Sequence, residues 1–301
     1  MQIDNLKNRL NECKIEYSLN EPMSRHTTFK IGGNADVFVK VRSYDELKLV
    51  VAFAKEYDTP YFILGKGSNL LVSDKGIEGL VISLDGLDNI KIEGETLICG
   101  AGASLRAVCL EAQKSALAGL QFAYGIPGTI GGALYMNAGA YGGEMSQVVV
   151  SATALDSFGN LREFSVSEMN LGYRTSVFKN SNLIITSVTM KLRFGDATAI
   201  KAEMDDVFAR RRDKQPLEYP SAGSTFKRPD GYFAGALIEQ NNLKGVSVGD
   251  AQVSEKHAGF VINRGNATCC DVLALIDKIK HTVKAADGVL LEPEVIFVGR
   301  K

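Results

Sequence analysis

The sequence predicts an α+β protein that opens as α/β. Three observations carry this. Strand-like alternation and helical spacing take turns through about the first 86 residues, a β-richer stretch follows up to about 193, and the last third mixes helical patterns with one closing strand. A chain of 301 residues that is 45% hydrophobic suits two domains, or one divided domain, and can fill their cores. Disorder is excluded as the main state.

The elements follow in order. Residues 34–41 alternate as a strand, and Ser43 with Glu46 forms a capping-box pair ahead of Leu47, Val50, Val51 and Ala54 at helical spacing. That helix ends near Asp58-Thr59-Pro60. Residues 61–64 and 80–84 read as strands and 65–69 as the tight turn between them. Two short strands then meet at Glu93-Gly94-Glu95, and a helix over 105–112 leads into a glycine-rich stretch. Strand patterns return at 148–156, 161–166 and 183–193, the first two joined through Phe158-Gly159-Asn160.

Asp196 can cap a helix carrying Ile200, Met204, Val207 and Phe208, which ends at Arg210-Arg211-Arg212 before Pro216. A domain boundary is placed here. Beyond it, 232–240 and 271–284 read as helices, the second with Val272, Leu275, Ile276, Ile279 and Val283 on one face, and 289–298 as the closing strand.

Charge and cysteine usage exclude several functions. Lys and Arg total 34 against 35 Asp and Glu, a net charge of −1, so no polyanionic partner such as nucleic acid is called for. No apolar leader and no run of about 18 apolar residues is present, which predicts a soluble cytoplasmic protein with no membrane association. The five cysteines lack Cys-x-x-Cys spacing, and His26, His257 and His281 are scattered, so neither a disulfide framework nor a protein-held metal is expected. Cys269-Cys270, at a helix start, reads as buried packing. His257 reads as structural.

Glycine is the departure from an ordinary composition. Eight of the 25 residues from Gly119 to Gly143 are glycine, against 30 in the whole chain, so backbone is in direct use there. The turn Gly65-Lys66-Gly67-Ser68-Asn69 follows an apolar strand, and its N–H groups can converge on phosphate. The alternative is an ordinary turn with a solvated lysine. In the stretch 125–143, small residues would let backbone approach a flat or phosphorylated ligand, close helix packing being the alternative.

These turns, with four further motifs in order, resemble the UDP-N-acetylenolpyruvoylglucosamine reductase (UDP-N-acetylmuramate dehydrogenase) family over nearly the whole chain. The further motifs are His26-Thr27-Thr28-Phe29-Lys30-Ile31-Gly32-Gly33, Gly172-Tyr173-Arg174-Thr175-Ser176, Ser221-Ala222-Gly223-Ser224-Thr225-Phe226-Lys227 and Leu291-Glu292-Pro293-Glu294-Val295. The resemblance implies an FAD-binding domain of the PCMH (vanillyl-alcohol-oxidase) type, a two-part α/β domain over 25–193 split near 86. A helical segment precedes it over 1–24, and an α+β substrate domain follows over 196–301, whose C-terminal strand returns Glu294 to the active site. Without a tyrosine-bearing insertion after Tyr173-Arg174-Thr175-Ser176, the chain matches the shorter, second subtype.

The implied activity is NADPH-dependent reduction, through noncovalent FAD, of UDP-N-acetylglucosamine enolpyruvate to UDP-N-acetylmuramate for peptidoglycan. Its implied partners are these small molecules, with no obligate protein partner. Arg174, Ser224 and Glu294 are the implied catalytic residues: carboxylate holder, proton donor and assisting acid, with Glu292 the other choice for the last. FAD falls to Gly65, Lys66, Gly67, Ser68 and Asn69, and to Gly125, Gly128, Thr129, Gly131, Gly132, Asn137, Gly139 and Gly142. Lys214 and Lys227 would meet the substrate diphosphate. Arg228 and Gly259 stand where the family commonly has Asn, which removes a carried-over amide contact. The other readings are a different FAD oxidoreductase of this fold and a nucleotide-sugar binding module without turnover.

Overall fold

The computed structural model describes residues 2–301. Its first helix, Gln2–Glu12, buries Leu6 and Leu10 and lays Arg9 over the Phe53 ring at 5.0 Å. The N-terminal segment is not helical throughout, because Tyr17–Pro22 is a strand. Ser43 Oγ accepts the Glu46 N–H at 3.1 Å and starts the helix Tyr44–Glu56, a cap worth about 1 kcal/mol. A four-stranded sheet has the order Tyr17–Pro22, Asn34–Lys40, Ile77–Ser83, Tyr61–Leu64, its last pair parallel.

Between Ser83 and Ile90 the chain passes to a five-stranded antiparallel sheet. Its order is Leu161–Ser165, Val149–Leu155, Ile184–Lys191, Thr96–Gly100, Ile90–Glu93. The turn at Gly94 takes φ +60, which glycine adopts without a Cβ penalty. The strand expected over 183–193 is interrupted at Leu192, after which Arg193–Phe194 pairs with Leu117–Ala118.

Asp196 Oδ1 accepts the Ala199 N–H at 2.7 Å and caps the helix Ala197–Lys214. That helix runs past the expected end at Arg212, until Pro216 prevents continuation. Its buried stripe is Ile200, Met204, Val207 and Arg211.

The chain divides into two compact units, each discontinuous in sequence. The first comprises the segment ending at Ser18, Phe38–Lys66 and Leu80–Arg211; the second comprises Leu19–Val37, Gly67–Gly79 and Arg212–Lys301. This differs from contiguous domains meeting near 196. In the second unit Leu70–Val72, to which the sequence reading assigns no strand, pairs in parallel with Ile296–Val298, which ties residues 67–79 to the C-terminus. The closing strand is correspondingly short. Glu294 lies just before it, after Pro293, which has no N–H for a ladder and makes only an isolated bridge to Phe226.

The core of the second unit packs Val272, Leu275, Ile276, Ile279 and Val283 of the helix Cys269–Asp287 with Phe29, Ile31 and Leu71. Thr268 caps this helix, and the Asp74 carboxylate accepts the Cys269 and Cys270 N–H groups at 2.8 and 3.0 Å. Cys269 is buried and burial pushes its thiol up to about 12, but Cys270 is exposed, so packing accounts for only one of the pair. No helix among the described residues is long and apolar enough to cross a membrane.

Candidate active site

In the first unit the turn Gly172–Thr175 is closed by backbone hydrogen bonds of 3.1 and 3.3 Å. Arg174 sits in it at φ +56, a left-handed conformation that non-glycine residues adopt where the surroundings enforce it. Several contacts enforce it. Asn137 Nδ2 donates to Gly172 O at 3.0 Å, Lys179 Nζ to Arg174 O at 3.2 Å and Ser176 Oγ to Tyr135 O at 2.8 Å. The guanidinium is half-buried, 5.3 Å from the Tyr173 ring centroid, with Nη2 donating to Gly139 O at 3.3 Å.

Asn137, expected at the cofactor, has both ends of its amide engaged in protein, since its Oδ1 accepts the Ser146 N–H at 2.9 Å. It is buried and holds the Arg174 turn. Asn137→Ala leaves Gly172 O and the Ser146 N–H without their partner, and is expected to lower stability by about 1–3 kcal/mol, read from the urea midpoint. An unchanged midpoint would show that the amide does not hold the turn.

The glycines divide by function. Packing explains several of them: a Cβ at Gly65 would fall 2.8 Å from Thr129 Oγ1, at Gly131 2.7 Å from Ala101 Cβ, and at Gly139 2.7 Å from Gly143 O. The donors at the start of the short helix Ile130–Tyr135 are already in use. Ile130 N–H goes to Ala103 O, Gly131 N–H to Ala101 O and Gly132 N–H to the Thr129 hydroxyl, while Gly128 O accepts from Leu105. Gly132 and Gly142 are exposed, and the Gly142 Cβ position is open.

The turn at 65–69 is different. The N–H groups of Lys66, Gly67, Ser68 and Asn69 meet no acceptor among the described residues. Partly buried N–H groups are normally paired, so a run of free ones fits an anion. Lys66 Nζ lies 3.3 Å from Asp85 Oδ2, which leaves the backbone as the turn's main offering. Gly67, at φ +59, has His26 O where a side chain would begin, 2.1 Å away.

In the second unit, Ser224 and Thr225 face opposite ways. Thr225 is buried, and its Oγ1 accepts the Val261 N–H at 2.9 Å. Ser224 is exposed, and its hydroxyl has no partner among the described residues. Glu294 is fixed beside this segment: its N–H donates to Thr225 O at 2.8 Å, and its carbonyl accepts from Asn69 Nδ2 at 3.2 Å.

Glu292 is more exposed than Glu294 and pairs with Lys227 Nζ at 3.0 Å. Lys227 therefore has a surface carboxylate partner, and Lys214 is exposed at the end of its helix. Arg228 lies over the Phe233 ring at 4.1 Å.

Gly259 has a packing reason, because a Cβ there would fall 3.0 Å from His257 Cε1. His257 Nδ1 accepts the Gly259 N–H at 3.1 Å, the ring lies edge-on to Phe260, and burial pushes its pKa below the ordinary histidine value. It is a neutral structural histidine.

Sequence reading placed Arg211 only in the basic end of its helix, and the structure buries it. It is 9% exposed, and its Nε has no hydrogen-bond partner among the described residues. The signal was present in the stripe Ile200, Met204, Val207, Arg211, whose helical spacing continues onto the arginine. The free N–H groups at 66–69 fit an anionic group of a cofactor.

Residues 35–165 match the family model for an FAD binding domain, and with this donor set they define an FAD-binding protein. Residues 215–298 match the C-terminal domain of UDP-N-acetylenolpyruvoylglucosamine reductase. The chain is 51% identical to the reductase of that name from Clostridium novyi (strain NT), over 96% of this chain and 94% of the relative. It is also 51% identical to that from Caldanaerobacter subterraneus subsp. tengcongensis, over 99% and 98%. The crystal structure of UDP-N-acetylenolpyruvylglucosamine reductase from Thermus caldophilus superimposes with a TM-score of 0.81 at 34% identity, covering 94% of this chain and 98% of that one. The chain belongs to the UDP-N-acetylenolpyruvoylglucosamine reductase family.

Proposed function

We propose that this chain reduces the enolpyruvyl ether of UDP-N-acetylglucosamine to the lactyl ether of UDP-N-acetylmuramate, a cytoplasmic, NADPH-dependent step in peptidoglycan precursor synthesis. The observation that carries this reading is the 51% identity extending through 99% of the chain. FAD, when bound, supplies the two-electron relay between the nicotinamide and the substrate.

The protein's own groups do the rest. Hydride arriving at the vinyl CH2 places negative charge on the adjacent carbon and its carboxylate. Arg174 holds that carboxylate with its planar fork of donors, and its enforced backbone geometry pre-aims the guanidinium. Ser224, exposed and unpartnered among the described residues, delivers the proton to the anionic carbon. Glu294 assists from a backbone position fixed by Thr225 and Asn69. The free N–H groups of residues 66–69 receive an FAD phosphate. Lys214 and Lys227 attract the nucleotide diphosphate, Lys227 exchanging its Glu292 partner for it.

An anaerobic absorption spectrum tests this reading. The purified protein is expected to be yellow, to release its colour into the supernatant on acid precipitation, to bleach with NADPH and to regain colour on adding the enolpyruvyl nucleotide. Colour retained in the pellet would mean covalent flavin. A protein that takes up no FAD, or that stays bleached with the nucleotide, overturns the reading.

A further inference from the structure

The segment that carries Glu294 changes partners at that residue. On its N-terminal side it lies against residues 225–227: Lys227 N–H donates to Glu292 O at 2.9 Å, Phe226 bridges Pro293, and Glu294 N–H donates to Thr225 O at 2.8 Å. Beyond it, Ile296–Val298 runs parallel to Leu70–Val72, with Ile296 opposite Leu70 and Val298 opposite Val72. In such a parallel ladder each bonded residue donates to the position before its partner and accepts from the position after it. Ile296 N–H accordingly meets Asn69 O at 2.9 Å, and Val298 O accepts the Ser73 N–H at 2.8 Å.

Carried one step back, that pattern would set Glu294 opposite Ser68 and form two more bonds, Glu294 N–H to Gly67 O and Asn69 N–H to Glu294 O. Neither is made. Glu294 N–H goes to Thr225, and Gly67 O accepts the Thr28 N–H at 3.3 Å instead. Glu294 O receives the Asn69 side chain, Nδ2 donating at 3.2 Å, where the ladder calls for that residue's own backbone N–H. Glu294 is half-buried, so its carbonyl needs a donor, and the amide provides it. The Asn69 N–H is thereby left over, one of the run that meets no acceptor among the described residues.

We propose that Asn69 is a positioning residue for Glu294, its side-chain amide standing in for its own N–H in the ladder, so that the N–H stays with the cofactor phosphate while the acid is held at the substrate. The inference rests on the flavoenzyme reading above and on the part given there to Glu294. It separates the two faces of one residue. Any residue but proline at position 69 keeps the N–H, so removing the amide loosens Glu294 without removing the backbone contact to the cofactor. A side-chain contact with FAD would instead be felt in flavin binding and in flavin reduction.

The test measures both half-reactions by anaerobic stopped-flow absorbance at saturating FAD, in the parent, Asn69→Ala, Glu294→Gln and the double variant. Asn69→Ala is expected to hold FAD and to bleach with NADPH within about twofold of the parental rate. Its reoxidation by the enolpyruvyl nucleotide is expected to slow about ten- to a hundredfold, the effect of displacing an assisting group by an ångström or less. In the Glu294→Gln background the same change is expected to slow reoxidation by less than about twofold, because the acid it positions is already gone. Asn69→Ser, too short to reach Glu294 O, gives the same comparison if the alanine variant does not fold. Parental reoxidation in Asn69→Ala, or a full further loss in the Glu294→Gln background, overturns the proposal. Equal slowing of both half-reactions, or loss of FAD, also overturns it, since the amide would then be a cofactor contact or a support of the fold. A Glu294→Gln variant reoxidised at the parental rate would remove that acid from the reading above, and this role of Asn69 with it. A parent protein that binds no flavin would overturn the flavoenzyme reading itself.

Discussion

Ser224→Ala is expected to bleach with NADPH at close to the parental rate, while reoxidation by the enolpyruvyl nucleotide slows by about 10²–10⁴, the usual contribution of a positioned general acid. The proton is needed only after hydride has left the flavin, so the two half-reactions should separate. The substitution is a clean one. The Ser224 hydroxyl has no partner among the described residues, so its removal orphans no other group. Thr225 offers no substitute, since its buried Oγ1 is engaged by the Val261 N–H. Anaerobic stopped-flow absorbance follows each half-reaction. Equal slowing of both would make Ser224 a residue that shapes the site, and slowing of neither would remove it from the chemistry.

Arg174→Lys is expected to lose about 10²–10³ in the rate of substrate reduction, the effect of removing one preorganised contact to a developing anion. Lysine keeps the charge but not the planar fork, so the comparison isolates bidentate geometry. The turn should survive. Its left-handed backbone is held by Asn137 Nδ2 on Gly172 O and Lys179 Nζ on Arg174 O, neither of which uses the arginine side chain. An unchanged urea midpoint together with slow substrate reduction is the expected pair of results, and near-parental turnover would show that the fork does no catalytic work.

Much of the fold was legible because local rules act over a few residues. The capped helices at Ser43 and Asp196, the turns at Gly94 and Gly159, and the apolar face of Cys269–Asp287 follow from spacing and caps alone. The site was legible only through ordered motifs, because a lone serine, arginine or glutamate carries no signal of its role in its own neighbourhood.

Pattern by itself determined an α+β protein, and the resemblance of its ordered motifs implied a flavoprotein of this family with Arg174, Ser224 and Glu294 as candidates. Tertiary structure decided what surrounds these groups and which polar groups are already engaged. It paired Leu70–Val72 with the C-terminal strand, because a three-residue strand has too little alternation to announce itself and is fixed only by its partner. It assigned several glycines to packing and the free donors to residues 66–69, because whether an N–H is used depends on an acceptor far away in sequence. It gave Asn137 to the Arg174 turn and buried Arg211 with no partner for its Nε among the described residues, because burial is a property of everything that packs around a residue.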